Sequence, residues 1–231
     1  MILNLNQSYL YYLIPFGVFF ILLIISYVVL FSQMRKSTKV KIEDGPTGAE
    51  VVKIVLEHYN IRNIMIVVTN NRRVKGNYDY SAGMIQLSPA VYYNNRLLAM
   101  CIAAHEAGYA VQVADGNNYL IINKFISFIA KIVLTLSLPG ILIGFMVMSN
   151  VIINSCILAF CAAVILTLFT LPSEIDASAK AIKAIKEEGI LNKTEYQQFK
   201  KMMHAACLTY VATGFTAFLV LFEFFDFPYD K

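Results

Sequence analysis

Ala103-Ala104-His105-Glu106-Ala107-Gly108-Tyr109-Ala110-Val111-Gln112 is one residue away from a complete His-Glu-x-x-His helix. In that arrangement two imidazoles four positions apart project from one helix face towards a single zinc ion, and the intervening glutamate activates a metal-bound water. Here His105 supplies the first imidazole and Glu106 the base, but the second ligand position holds Tyr109. A phenol with an ordinary pKa of about 10 binds zinc only when deprotonated, and its oxygen stands farther from the backbone than an imidazole nitrogen does. No nearby substitute is evident: the other histidines are His58 and His204, and His204, at the entrance of the last span, is more readily a residue that satisfies local hydrogen bonds or meets headgroups than one that approaches the motif. The helical pattern around the motif runs from about Asn95 to Ala114, with Asp115-Gly116 as its stop.

Outside this stretch the chain is dominated by apolar residues. Of 231 residues 58% are hydrophobic and only 15% charged, with a mean hydropathy of +0.61, whereas soluble domains carry about 25% charged residues. Tyr9 to Phe31 is an uncharged run long enough to cross a bilayer, which needs about 20 apolar residues. No Lys or Arg precedes it, while Arg35, Lys36, Lys39 and Lys41 follow, so it reads as a retained anchor with its N-terminus outside. Ile132 to Met148 and Val151 to Leu171 form a tight membrane hairpin around Ser149-Asn150, with a kink expected at Pro139-Gly140, and Ala205 to Phe225 is a fourth span. Ten of the 19 Lys and Arg residues lie between Arg35 and Arg96 and six between Lys180 and Lys201, which places both polar regions in the cytosol. The net charge of +4 is explained by this orientation and by anionic lipid, not by nucleic acid. Cys101, Cys156, Cys161 and Cys207 lie in apolar helical surroundings without a Cys-x-x-Cys pair, as buried reduced thiols do.

Within the polar regions, Thr47-Gly48-Ala49-Glu50 has the form of a capping box that opens an amphipathic helix ending near His58. Ile64 to Thr69 is β-rich, Asn70 to Gly83 is a turn-forming stretch, and Met84 to Ser88 is a second short strand. Leu171-Pro172-Ser173-Glu174-Ile175-Asp176 reads as the end of a span and the start of a new helix capped by Ser173 and Asp176. Lys180, Lys183 and Lys186 suit a helix beside lipid headgroups; Gly189 ends it, and Asn192 with Glu195 caps the last helix. Gly108 and Ala107 are small enough to let another helix approach closely.

Five separated motifs in order resemble the YugP-like bacterial membrane zinc metallopeptidases, which sit broadly with the gluzincins. They are Thr47-Gly48-Ala49-Glu50-Val51, Tyr78-Asp79 followed by Ile85-Gln86-Leu87-Ser88, Ala104-His105-Glu106-x-Gly108, Leu171-Pro172-x-Glu174-x-Asp176-Ala177-Ser178, and Leu208-Thr209-Tyr210-Val211-Ala212. The resemblance implies a zinc-dependent peptidase at the cytosolic membrane face. His105 and position 109 would be Zn2+ ligands, Glu174 the third protein ligand, Glu106 the general base, and Asp176 a residue orienting a ligand. The Met84 to Ser88 strand, through Ile85, Gln86 and Leu87, would hold substrate as an exposed sheet edge allows.

The expected fold is therefore a mainly α membrane protein, with about four transmembrane helices and a small cytosolic α+β zincin-like metallopeptidase domain. Its parts are an anchor (1–33), a cytosolic region with the motif helix (34–120), a transmembrane hairpin (121–171), cytosolic helices carrying Glu174 (172–204) and a last transmembrane helix (205–231). The expected setting is a bacterial cell membrane, with a peptide or membrane-protein substrate. Two function classes stay open: an endopeptidase weakened by Tyr109, and an inactive scaffold that keeps the fold to bind a membrane partner. A transporter is disfavoured, because Lys131 is the one interior charge of the spans.

Overall fold

The computed structural model of the chain describes residues 21, 24–26, 28–70, 75–116 and 119–206. Most of the expected first span and nearly all of the fourth, with Cys207, lie outside them. The remainder falls into two compact units. In their described parts, one takes in residues from 29 to 123 and from 172 to 206, and the other residues 21, 24–26, 28 and 124–171.

The first unit is built around a single apolar helix. Its elements are α1 (residues 28–39), α2 (Gly48–His58), β1 (Met65–Val68), β2 (Gly76–Asp79), β3 (Met84–Leu87), the short α3 (Pro89–Tyr92), α4 (Leu97–Ala114), the later turns of α6 (Asn150–Glu187) and α7 (residues 193–206). The capping box forms as the sequence predicts. Thr47 N–H donates to Glu50 Oε2 at 2.7 Å, and Glu50 N–H donates to Thr47 Oγ1 at 3.4 Å. The Thr47 amide and the Thr47 hydroxyl, both donating to Glu50 Oε2, hold the Glu50 carboxyl below its usual range. Val51, Val52, Val55 and Leu56 then turn one face of α2 into the core, where α2 packs on α4. Asn192 caps α7 by accepting the amides of Thr194 and Glu195, and Glu195 returns a bond to the Asn192 amide.

Two local readings need correction. The polar stretch after Asn70 contains a strand as well as a turn: Gly76–Asp79 pairs antiparallel with β3, Tyr78 opposite Ile85. Its sequence lacks apolar alternation because only Tyr78 buries its side chain deeply. Asp79 then closes the hairpin by accepting the Ser81 amide and hydroxyl and the Ala82 amide. The second correction concerns Pro172, which starts no new helix and lies inside the unbroken α6. Proline removes one i to i−4 bond, a loss that surrounding packing can outweigh. Ser173 and Asp176 are accordingly not capping residues.

The sheet has the order β1-β3-β2, with β1 parallel and β2 antiparallel to β3. The strand at Met84–Leu87 is thus central. Ile85 and Leu87 are fully buried, and both edges of β3 are hydrogen-bonded to neighbours. The expectation that Ile85, Gln86 and Leu87 offer substrate an open edge is overturned by this order, and among the described residues β1 and β2 are the outer strands.

In the second unit, α5 (Tyr119–Met146) runs through Pro139 and turns at Val147–Ser149 into α6. Cβ atoms built on Gly140 and Gly144 would press on Cys156, Ile152 and Ile153, so small residues four apart let the two helices close on each other. Ile141, Ile153, Ile157, Phe160 and Val164 fill the seam, while Phe128, Leu136, Leu142, Leu158 and Phe169 face outward. Three helices among the described residues are long and apolar enough to cross a membrane: α4, α5 and α6.

A Cβ built on Gly108 of α4 would collide with the carbonyl oxygen of Ala177 on α6 and lie 2.9 Å from its carbonyl carbon. Gly108→Ala is therefore expected to lower stability by about 1–3 kcal/mol, as overpacking does, seen as a lower thermal unfolding midpoint in detergent. An unchanged midpoint would mean that the two helices separate freely there.

Candidate metal centre

Gly108 fixes which side chains can meet, because its contact with Ala177 brings the backbones of α4 and α6 together. On α4 the residue one turn before that contact is His105. On α6, Glu174 and Ser178 flank Ala177 and lie four positions apart, hence on one face. His105 Nε2 stands 3.4 Å from Glu174 Oε2, and His105 Nδ1 lies 3.2 Å from Ser178 Oγ. The His105 and Glu174 side chains keep 24% and 16% of their surface exposed, so the pair is sheltered but reachable.

This geometry can be tested against a cation. Two ligands bound to tetrahedral zinc at about 2.0–2.2 Å sit roughly 3.3–3.5 Å apart. The observed 3.4 Å matches that edge. A proton on Nδ1 donated to Ser178 leaves the Nε2 lone pair directed at the cation, the outer-shell arrangement usual for a ligating histidine. Tyr109 occupies the next turn of α4, nearly buried, with its ring edge-on to His105 at a centroid distance of 4.7 Å. Among the described residues no group of three or more His, Cys, Asp or Glu side chains converges. The donor set thus fits zinc at two positions and carries a phenol beside them.

Glu106, next to His105, points to the sheet. Its Oε2 accepts the Tyr78 N–H at 2.7 Å, and a Cβ built on Gly76 would lie 2.7 Å from its Cγ. Strand β2 therefore runs alongside the expected base, and the absence of a side chain at Gly76 leaves room for the Glu106 stem.

The expected role of Asp176 changes. Asp176 does not reach His105; it accepts from Gln112 Nε2 at 2.7 Å and pairs with Lys180 at 3.1 Å. Gln112 is fully buried, donates also to the Ser173 carbonyl at 2.8 Å, and accepts from Ser173 Oγ at 3.2 Å. Lys180 adds a 2.6 Å bond to Asp115 at the end of α4. Burial would lower the Lys180 pKa, but its bonds to Asp115 and Asp176 outweigh this and raise it. Lys180 is thus a tie between helices rather than a headgroup contact. Gln112, Ser178 and Gly76 escaped the reading of the sequence for roles at the site. Only the small residue at 76 within a polar stretch gave a signal, one shared with any turn.

The remaining histidines stay apart from this cluster. His58 lies between Glu188 at 2.7 Å and Glu187 at 3.1 Å, and His204 is exposed on α7.

Residues 11–227 match the sequence profile of a family described as "Putative neutral zinc metallopeptidase". The chain is also 30% identical over 197 residues to "Putative membrane protease YugP" of Bacillus subtilis (strain 168), covering 84% of this chain and 85% of that protein. No solved structure matches. The chain belongs to the neutral zinc metallopeptidase family.

Gln112→Leu keeps the volume but removes the bonds to Ser173 and Asp176, and is expected to cost about 1–3 kcal/mol by equilibrium unfolding. Replacing Lys180 with Met should cost stability that is fully present below the ordinary lysine value of 10.5 and fades as pH rises through the elevated folded value. A penalty growing with alkalinity would contradict the tie.

Proposed function

We propose that this member of the neutral zinc metallopeptidase family is a membrane-embedded endopeptidase that hydrolyses peptide bonds at the cytosolic face, with Glu106 as general base. The observation that carries the reading is the 3.4 Å approach of His105 Nε2 to Glu174 Oε2, with Glu106 at the adjoining helix position. The distribution of Lys and Arg supports the cytosolic assignment.

His105 and Glu174 are the side chains that would hold the cation. When bound, zinc supplies polarisation of the scissile carbonyl and acidification of the attacking water. Ser178 keeps the His105 ring from rotating. Glu106 takes the proton of the water and returns it to the leaving amine, a role requiring a fixed carboxylate near the reacting atoms. The Tyr78 amide supplies that fixity by holding Oε2. Substrate is best accommodated along β2, whose outer edge runs beside Glu106, as strand addition to a sheet edge provides main-chain bonds in register. This moves the substrate strand from Ile85, Gln86 and Leu87 to Gly76–Asp79. Tyr109 weakens the site, because its phenol must lose a proton before it can bind a cation as a charged ligand.

Zinc titration of the detergent-purified chain tests the reading. Tyr109→His is expected to raise zinc affinity by more than the roughly 10–100-fold that outer-shell changes cost, and to permit peptide cleavage. Glu106→Gln in that background should keep the metal and lower turnover by about 10²–10⁴-fold, while Glu174→Ala should release the metal. Equal zinc content with and without Tyr109→His would refute Tyr109 as an altered ligand.

A further inference from the structure

Away from the metal centre, a cavity of about 360 Å³ opens beside α1, lined by Phe31, Met34, Arg35, Thr38, Lys39 and Leu98. Arg35 and Lys39 are one helical turn apart and stand on the same side of α1. Among the described residues neither has a carboxylate partner, since the ion pairs there are made by His58, His105 and Lys180. The neighbouring cation, Arg96, is already engaged: it donates to the Thr38 carbonyl at 2.8 Å. The cavity also has a position in the sequence. Phe31 closes the apolar run that begins at Tyr9, and Arg35 is the first charged residue of the chain.

We propose that this cavity seats one anionic phospholipid, its phosphate on Arg35 and Lys39 and an acyl chain against Phe31, Met34 and Leu98. A free phosphate would leave the apolar wall unused, and an uncharged chain would leave two adjacent cations without a counter-charge. An anionic amphiphile satisfies both, and a bilayer supplies it at the point where the apolar run gives way to charge. The seat lies at the root of the motif helix. Leu98 is in the first turn of α4, Leu97 N–H donates to the Val40 carbonyl at 3.0 Å, and Lys41 bridges to Arg96. The lipid would thus brace the junction from which α4 departs.

The full chain, purified in neutral detergent and stripped of lipid, is titrated with phosphatidylglycerol and phosphatidylcholine of equal chain length, with bound lipid counted by native mass spectrometry. One phosphatidylglycerol is expected to bind roughly 25-fold more tightly than phosphatidylcholine, about fivefold from each cation. Arg35→Gln with Lys39→Gln should erase the preference, whereas Lys36→Gln with Lys41→Gln, an equal change of charge outside the cavity, should keep it. Thr38→Trp, which fills the space without altering charge, should abolish the tight lipid. The proposal is overturned if both double variants lose the preference equally, if the two lipids bind alike, or if glycerol phosphate displaces the lipid at equal concentration.

Discussion

The contact on which the site depends is the one between Gly108 and the backbone of Ala177. His105 and Glu174 belong to helices separated in sequence by the whole membrane hairpin, and a side chain at position 108 would hold those helices apart. The seam around the contact is made of small buried residues, among them Ala104, Ala107, Ala181 and Ala184. Such a surface is smooth, and dispersion alone does not choose among registers shifted by a turn. The register is chosen by Gln112. Its amide spends both protons and one lone pair on Ser173 and Asp176, and in a dry interior a slip by one turn would leave the fully buried Gln112 amide without these partners. Packing brings His105 and Glu174 near each other, and a buried polar fork fixes the register at which they meet.

Much of the first unit was legible because its signals are local. The capping box at Thr47, the stop at Asp115-Gly116 and the cap at Asn192 each involve residues within four positions of one another, and each formed where the sequence put it. What escaped depends on partners distant in the chain. Gly76–Asp79 is a strand only because β3 lies beside it, and nothing in Gly-Asn-Tyr-Asp carries that information. Met84–Leu87 is read correctly as a strand, yet its central place rests on the order of pairing. Pro172 carries a strong local signal for a helix boundary, and tertiary contacts of Ser173, Glu174 and Asp176 with α4 override it. The same contacts explain why Asp176, expected beside a ligand, serves the helix junction instead.

Tyr109 sits inside a frame that other residues build. Its ring fills the turn after His105 and meets the imidazole edge-on, an arrangement favourable for two aromatic rings. A phenol differs from an imidazole there in its chemistry, since a neutral imidazole offers a lone pair at neutral pH and a phenol does not. The frame around it, with Ser178 on Nδ1, Glu174 near Nε2 and Glu106 held by Tyr78, is built from other residues and stands regardless of which side chain occupies position 109.

Composition alone cannot tell a helix buried in protein from one buried in lipid, and this chain holds both. Helix α4 is long and apolar enough to cross a bilayer, but 72% of it is buried by its own unit, so its apolar surface is already covered. Within α5 the corresponding share is 18%, and within α6 33%. Those helices carry exposed apolar residues, including Met146 and Met148 at the hairpin tip, 84% and 90% exposed. A helix apolar all round must be surrounded by something apolar. For α4 the surroundings are α2, the sheet and the later turns of α6; the hairpin, beyond its narrow seam, has the length and apolar surface that suit the hydrocarbon of a membrane. The His105-Glu106 pair thus resides on a helix hydrophobic enough to enter a bilayer and covered by the residues that pack on it.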